Sequence, residues 1–141
     1  MATVAGQRDI GSFLLSKAGV APQSFSGATP ANGTGFDRTG YESLVVAVQA
    51  GATTGSPTAF SLTAKVQHSA DNSTFADYSV AGTVPQVAVT AANTLAELDV
   101  DLSGAKQYVR VVLTPSFTGG TSPTVLGGAV AVLGGAVSLP A

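Results

Sequence analysis

A chain of 141 residues suffices for one domain with a packed core, and the absence of cysteine excludes disulfides and thiolate metal sites. Six Lys and Arg against eight Asp and Glu give a net charge of −2, which excludes the clustered cations that nucleic-acid phosphates require. Only 10% of residues are charged while 45% are hydrophobic, so little charge holds neighbouring molecules apart, and much of the surface is expected to be covered by other protein chains.

The start, Met1 to Asp9, has no basic segment followed by an apolar run, so it does not read as a secretory leader and cytoplasmic synthesis and assembly are expected. Ile10, Phe13, Leu14, Leu15 and Val20 then form an apolar cluster too short and too interrupted by glycine to specify a helix. This stretch is expected to be an extended N-terminal arm that packs on a neighbouring subunit. From Ala21 to Gly40 the chain collects Pro22, Gly27, Pro30, Asn32, Gly33, Gly35 and Gly40, residues that supply fixed or positive φ in loops. The expected division is therefore an arm and Gly/Pro-rich loop over 1–35 and a single all-β sandwich or jelly roll over 36–141.

Strand periodicity begins at Tyr41. Leu44 to Val48 is continuously apolar and β-branched, which predicts a central strand covered on both faces. After a break at Gly51 to Pro57, Phe60 to Ser69 alternates, with Leu62, Ala64, Val66 and His68 on one face and Ser61, Thr63, Lys65 and Gln67 on the other. Asp71-Asn72-Ser73 is a turn signal, and Thr74 to Ser79 and Val84 to Thr90 are short strands.

Leu95 to Leu102 sets Ala96, Leu98, Val100 and Leu102 opposite Glu97, Asp99 and Asp101. A hairpin through Ser103 to Lys106 is predicted to follow, pairing Val100 with Val109, Leu98 with Val111, and Asp99 with Arg110. The last strand, Val125 to Leu133, carries a duplicated Leu-Gly-Gly-Ala-Val whose glycines allow bends or close backbone approach. Thr124 to Leu139 has no charge, but it is shorter than the roughly 20 residues a membrane helix needs and contains four glycines, so no membrane partner is expected. Seven or eight short strands with regular turn signals indicate a sandwich or jelly roll.

Chemistry has little to stand on. His68 is the single histidine, it lies in an apolar register, and no Gly-x-Ser-x-Gly elbow supplies a nucleophile, so no catalytic residue is assigned. Glu97, Asp99 and Asp101 share a strand face but lack the loop spacing of a calcium site, and Gly33-Thr34-Gly35 lacks the rest of a dinucleotide loop. No metal and no cofactor are expected, and the chain reads as non-enzymatic.

Three stretches carry a resemblance: Phe36 to Ser43 leading into Leu44-Val45-Val46, Lys65 to Asp77 with its Ser69-Ala70-Asp71-Asn72-Ser73-Thr74-Phe75 core, and Lys106-Gln107-Tyr108-Val109-Arg110-Val111. Over residues 36 to 134 the chain resembles a family of small tailed-bacteriophage virion proteins found with the major capsid protein, of which jelly-roll decoration or cement proteins are the nearest functional type. The resemblance implies a structural protein on the capsid exterior, a dimer or trimer bound to the major capsid protein, with no catalytic site. Ile10, Phe13, Leu14, Leu15, Phe36, Arg38 and Tyr41 are the candidate interaction residues. The Ser-x-Asp-x-x-x-Phe and Tyr-Val-Arg-Val stretches are also similar to discoidin-type carbohydrate-binding jelly rolls, which leaves a sugar-binding module as the alternative.

Overall fold

Ten strands follow the short 3-10 turn Ile10–Phe13 in this computed structural model, which describes residues 9–138. They are β1 (Leu15–Ser26), β2 (Ala31–Asn32), β3 (Phe36–Asp37), β4 (Tyr41–Thr54), β5 (Ala59–Ser69), β6 (Ala76–Asp77), β7 (Gln86–Val89), β8 (Leu95–Asp101), β9 (Tyr108–Thr118) and β10 (Thr124–Ala136). One sheet has the order β1-β10-β4-β8; the other runs β2-β9-β5-β6, with β3 also on β9 and β7 also on β5. All pairings are antiparallel. Counting β2 with β3 and β6 with β7 gives eight strand positions divided four and four between two facing sheets, which is a jelly roll.

The alternation written into the sequence builds the core. Leu44, Val46, Val48 and Ala50 of β4 face Leu62, Ala64 and Val66 of β5 and Val109, Val111 and Leu113 of β9, all of them buried. Leu98 and Val100 pair with Val46 and Leu44 on the same inward face. β4 is central, between β10 and β8, as its composition predicts.

The arm is different from expectation. From Leu15 onward it is a 12-residue edge strand paired with β10, and Val20 and Phe25 are core residues. Register shifts between Ala18 and Val20 and again between Val20 and Gln23 break its period, which hides a strand from a two-residue pattern search. Pro22 is tolerated because it lies in one of these bulges on an edge strand. The expected loop of 21–40 likewise contains the end of β1 and the two short pieces β2 and β3. Residues 1–8 of the expected arm lie outside the described residues.

The hairpin between β8 and β9 does not form. β8 pairs with β4, so that Asp99 stands opposite Val45 and Val100 opposite Leu44, while β9 pairs with β5, opposing Arg110 to Gln67. Leu102 and Ala105 are buried and turn the chain from one sheet into the other. Both β4 and β9 present apolar partners for β8, which pairs with the 14-residue β4.

Candidate interaction surface

Because directly opposed residues share a face, the register defines the outer surface of the four-stranded sheet row by row. One row runs Ser16, Val132, Val45, Asp99; the next runs Ala18, Val130, Ala47, Glu97; and Gln49 then stands against Leu95. The first two rows are apolar across the middle strands and acidic on β8. Leu95, Leu126 and Val130 are exposed by 60%, 51% and 50%, although their strands are part of the sandwich. The expectation that Leu44 to Val48 is covered on both faces is therefore corrected: its inward residues are buried, whereas Val45 and Ala47 are only half-buried.

An open groove of about 560 Å³ crosses this face, lined by Pro22, Ala47, Gln49, Leu95, Leu126 and Val130. Two glycines shape it. A Cβ on Gly128 would come within 3.1 Å of Pro22 Cα, and one on Gly127 would meet Leu62 Cδ2 at 2.5 Å across the core. The glycine pair in the duplicated motif thus allows close approach on both faces at once, as expected of glycine in a strand.

The anticipated interaction residues are not brought together as a free surface. Leu15 pairs with Leu133 and packs on the core, and Phe36 is buried within it. Tyr41 packs against the core while its backbone carbonyl accepts a hydrogen bond from Arg38 Nη1 at 3.1 Å. Arg38 also donates from Nε to the Lys106 carbonyl at 3.2 Å and from Nη2 to the Ala105 carbonyl. Its three guanidinium nitrogens thus tie two carbonyls of the Leu102–Gln107 crossover to the start of β4 at Tyr41, which is a structural role. Leu14 lies over Gly134, and Phe13 is half-buried. Ile10 alone among them is largely exposed.

The residues that sequence reasoning missed are Val45, Ala47, Leu95, Leu126 and Val130. A signal existed: an apolar run in both faces of a strand in a two-layer antiparallel fold must leave one apolar face uncovered.

His68 faces inward at the sandwich end. Its Nδ1 accepts the Lys106 backbone N–H at 3.2 Å, and its ring packs on Tyr78 with centroids 5.1 Å apart. Burial, with Lys106 adding to it, lowers its pKa. Asp71 organises the turn that the sequence signalled: its Oδ1 accepts from Thr74 N–H, the Ser69 hydroxyl and Ser73 N–H, which together pull its pKa down to about 2. On the outer face of the six-stranded sheet, Arg110 lies 4.2 Å from the Phe75 ring centre and donates twice to Gln67 Oε1. Gln67 Nε2 in turn donates to Asp77, which also pairs with Lys65 at 3.0 Å. Among the described residues, no three His, Asp or Glu side chains gather to hold a metal ion. No helix among the described residues is long and apolar enough to cross a membrane.

No protein-family model matches the chain, and no curated protein sequence does. Among solved structures it is similar to the PBSX exported protein XepA, with a TM-score of 0.53 and 17% identity over 88% of this chain, which spans only 38% of XepA. It is also similar to the SPBc2 prophage-derived protein YomS, with a TM-score of 0.36, 17% identity, and 84% and 95% of the two chains covered. A third is a family 11 carbohydrate-binding module from Clostridium thermocellum, solved with a β-1,3-1,4-mixed-linked tetrasaccharide, with a TM-score of 0.35, 8% identity, and coverage of 89% and 90%. At such identity the likeness to XepA shows the β-sandwich fold, and the looser two add nothing to it.

Proposed function

We propose that this protein is a non-enzymatic structural component of a tailed-bacteriophage particle, a decoration or cement protein that binds the major capsid protein on the outside of the head. The uncovered apolar face of the four-stranded sheet carries this reading. A sandwich that leaves Leu95, Leu126 and Val130 half exposed or more, on a chain with only 10% charged residues, is suited to being covered by another protein. Burying one such side chain is worth about 1.5–3 kcal/mol when complete, so each copy gains a few kcal/mol, and repetition over a symmetric shell multiplies the effect. The sequence resemblance over residues 36–134 supports the phage assignment. The contact is assigned to this face rather than to the arm, because Phe36 is a core residue, Leu15 packs against the core, and Arg38 bonds to three backbone carbonyls.

Co-sedimentation of the protein with capsids of its phage tests the proposal. Saturable binding that Val130→Asp abolishes, with circular dichroism unchanged, is the expected result. Full binding by that variant removes the face from the contact, and no binding by the unaltered protein removes the capsid role.

The alternative sugar-binding role has one observation in its favour, the row Phe75, Arg110, Gln67 and Asp77 on the other sheet. The Phe75 ring is already stacked by the Arg110 guanidinium, so it does not offer the open aromatic platform that sugars use. A glycan-array signal lost in Gln67→Ala would favour this second role.

A further inference from the structure

We infer that the protein docking on the four-stranded sheet is a different chain that carries an apolar ridge flanked on one side by Lys or Arg, and not a second copy of this one. The inference rests on the face assigned above as the contact and specifies its partner's chemistry. Glu97 and Asp99 end the two apolar rows on β8, and Asp101 follows them opposite Ser43. All three are exposed on the same outward face, and none has a cation beside it in its row, where Ala47 and Val45 stand opposite Glu97 and Asp99. A surface that buries the apolar rows brings these carboxylates to the rim of the contact, where opposite charge is favourable and like charge costs.

The chain has little with which to answer its own acidic row. Among the described residues, Lys65 is paired with Asp77, Arg110 with Gln67 and Phe75, and Arg38 with three carbonyls. Lys17 stands in the inward row opposite Ala131, on the side of Asp37, and Lys106 is exposed but lies in the crossover beyond the end of β8, outside the sheet rows. A second copy docked face to face therefore presents no outward cation from its sheet. A two-fold axis across the strands would moreover set the carboxylates of one β8 against those of the other. Charge and apolar pattern together select a basic-rimmed partner.

The test uses the full-length protein with a leucine–lysine amphipathic peptide as probe and a leucine–glutamate peptide as its counterpart, followed by NMR chemical shifts and fluorescence anisotropy. The leucine–lysine peptide is expected to shift Val45, Ala47, Leu95, Leu126 and Val130 and leave the six-stranded sheet unchanged. Glu97→Gln with Asp99→Asn is expected to weaken it about fivefold, the sum of two exposed ion pairs. Leu126→Thr with Val130→Thr weakens it through the apolar term, and both pairs of substitutions are on exposed positions that the fold tolerates. Equal binding of the leucine–glutamate peptide, an affinity within about twofold after neutralisation, shifts centred on the other sheet, or concentration-dependent shifts of this face without any peptide would each overturn the inference. Capsid binding that survives in the Glu97→Gln, Asp99→Asn protein would leave the virion role standing while removing the charge requirement.

Discussion

His68 Nδ1 accepts the backbone N–H of Lys106 at 3.2 Å, joining the end of β5 to the crossover that carries the chain from β8 to β9. The ring can accept there only while neutral, and Tyr78 holds it in place with its own hydroxyl donating to the Asp101 carbonyl. Its pKa lies below the ordinary 6.5 because burial and Lys106 disfavour the charged ring. The unfolded chain then takes up the proton first as pH falls, so this contribution is complete above 6.5 and is lost as pH drops through the folded value. Urea midpoints are expected to fall between about pH 7 and about pH 5. His68→Gln, which keeps an acceptor but does not titrate, should flatten that slope; an unchanged slope would separate His68 from the acid response.

Arg110 is tied to Gln67 and Phe75, on the sheet opposite to Asp99. Arg110→Ala and Gln67→Ala are expected to be coupled by about 0.5 kcal/mol or more in a double-mutant cycle. Arg110→Ala and Asp99→Ala should be additive to within about 0.5 kcal/mol. Coupling in the second cycle would place β8 beside β9 and contradict the strand order.

Arg38→Ala should destabilise by about 2 kcal/mol, since the carbonyls of Tyr41, Ala105 and Lys106 lose their donor together. Arg38→Lys should recover little, because a point-like ammonium cannot serve three diverging acceptors. Chemical denaturation of both variants checks this, and full recovery by lysine would show that charge alone is what matters.

Gly33 lies where β1 and β9 approach: a Cβ there would be 2.0 Å from the Gly19 carbonyl oxygen and 2.8 Å from that of Val111. Gly33→Ala is expected to cost about 4 kcal/mol or more, as backbone has to move. Gly11→Ala meets only Asp9 Oδ1 at 3.7 Å and serves as the neutral control. Comparable thermal midpoints for the two variants would contradict this packing.

The faces of the strands were legible from sequence, and their neighbours were not. Alternation correctly turned Leu98 and Val100 inward, but an inward valine packs equally well beside Leu44 or Val109, and the coincidence of Asp99 with Arg110 is worth under about 1 kcal/mol. β1 was missed because its bulges interrupt the period around Gly19 and Pro22. The uncovered apolar face was concealed for a related reason: Val45 and Ala47 look like core in a run of apolar residues, and only the pairing tells which face the second sheet covers.

Cryo-electron microscopy of capsids decorated with this protein tests the central claim most directly. The expected map places the outer face of β1, β10, β4 and β8 against the shell, with Leu126 and Val130 buried and basic side chains of the capsid protein beside Glu97 and Asp99. A map in which that face points to solvent, or capsids that remain bare at saturating protein, would contradict it.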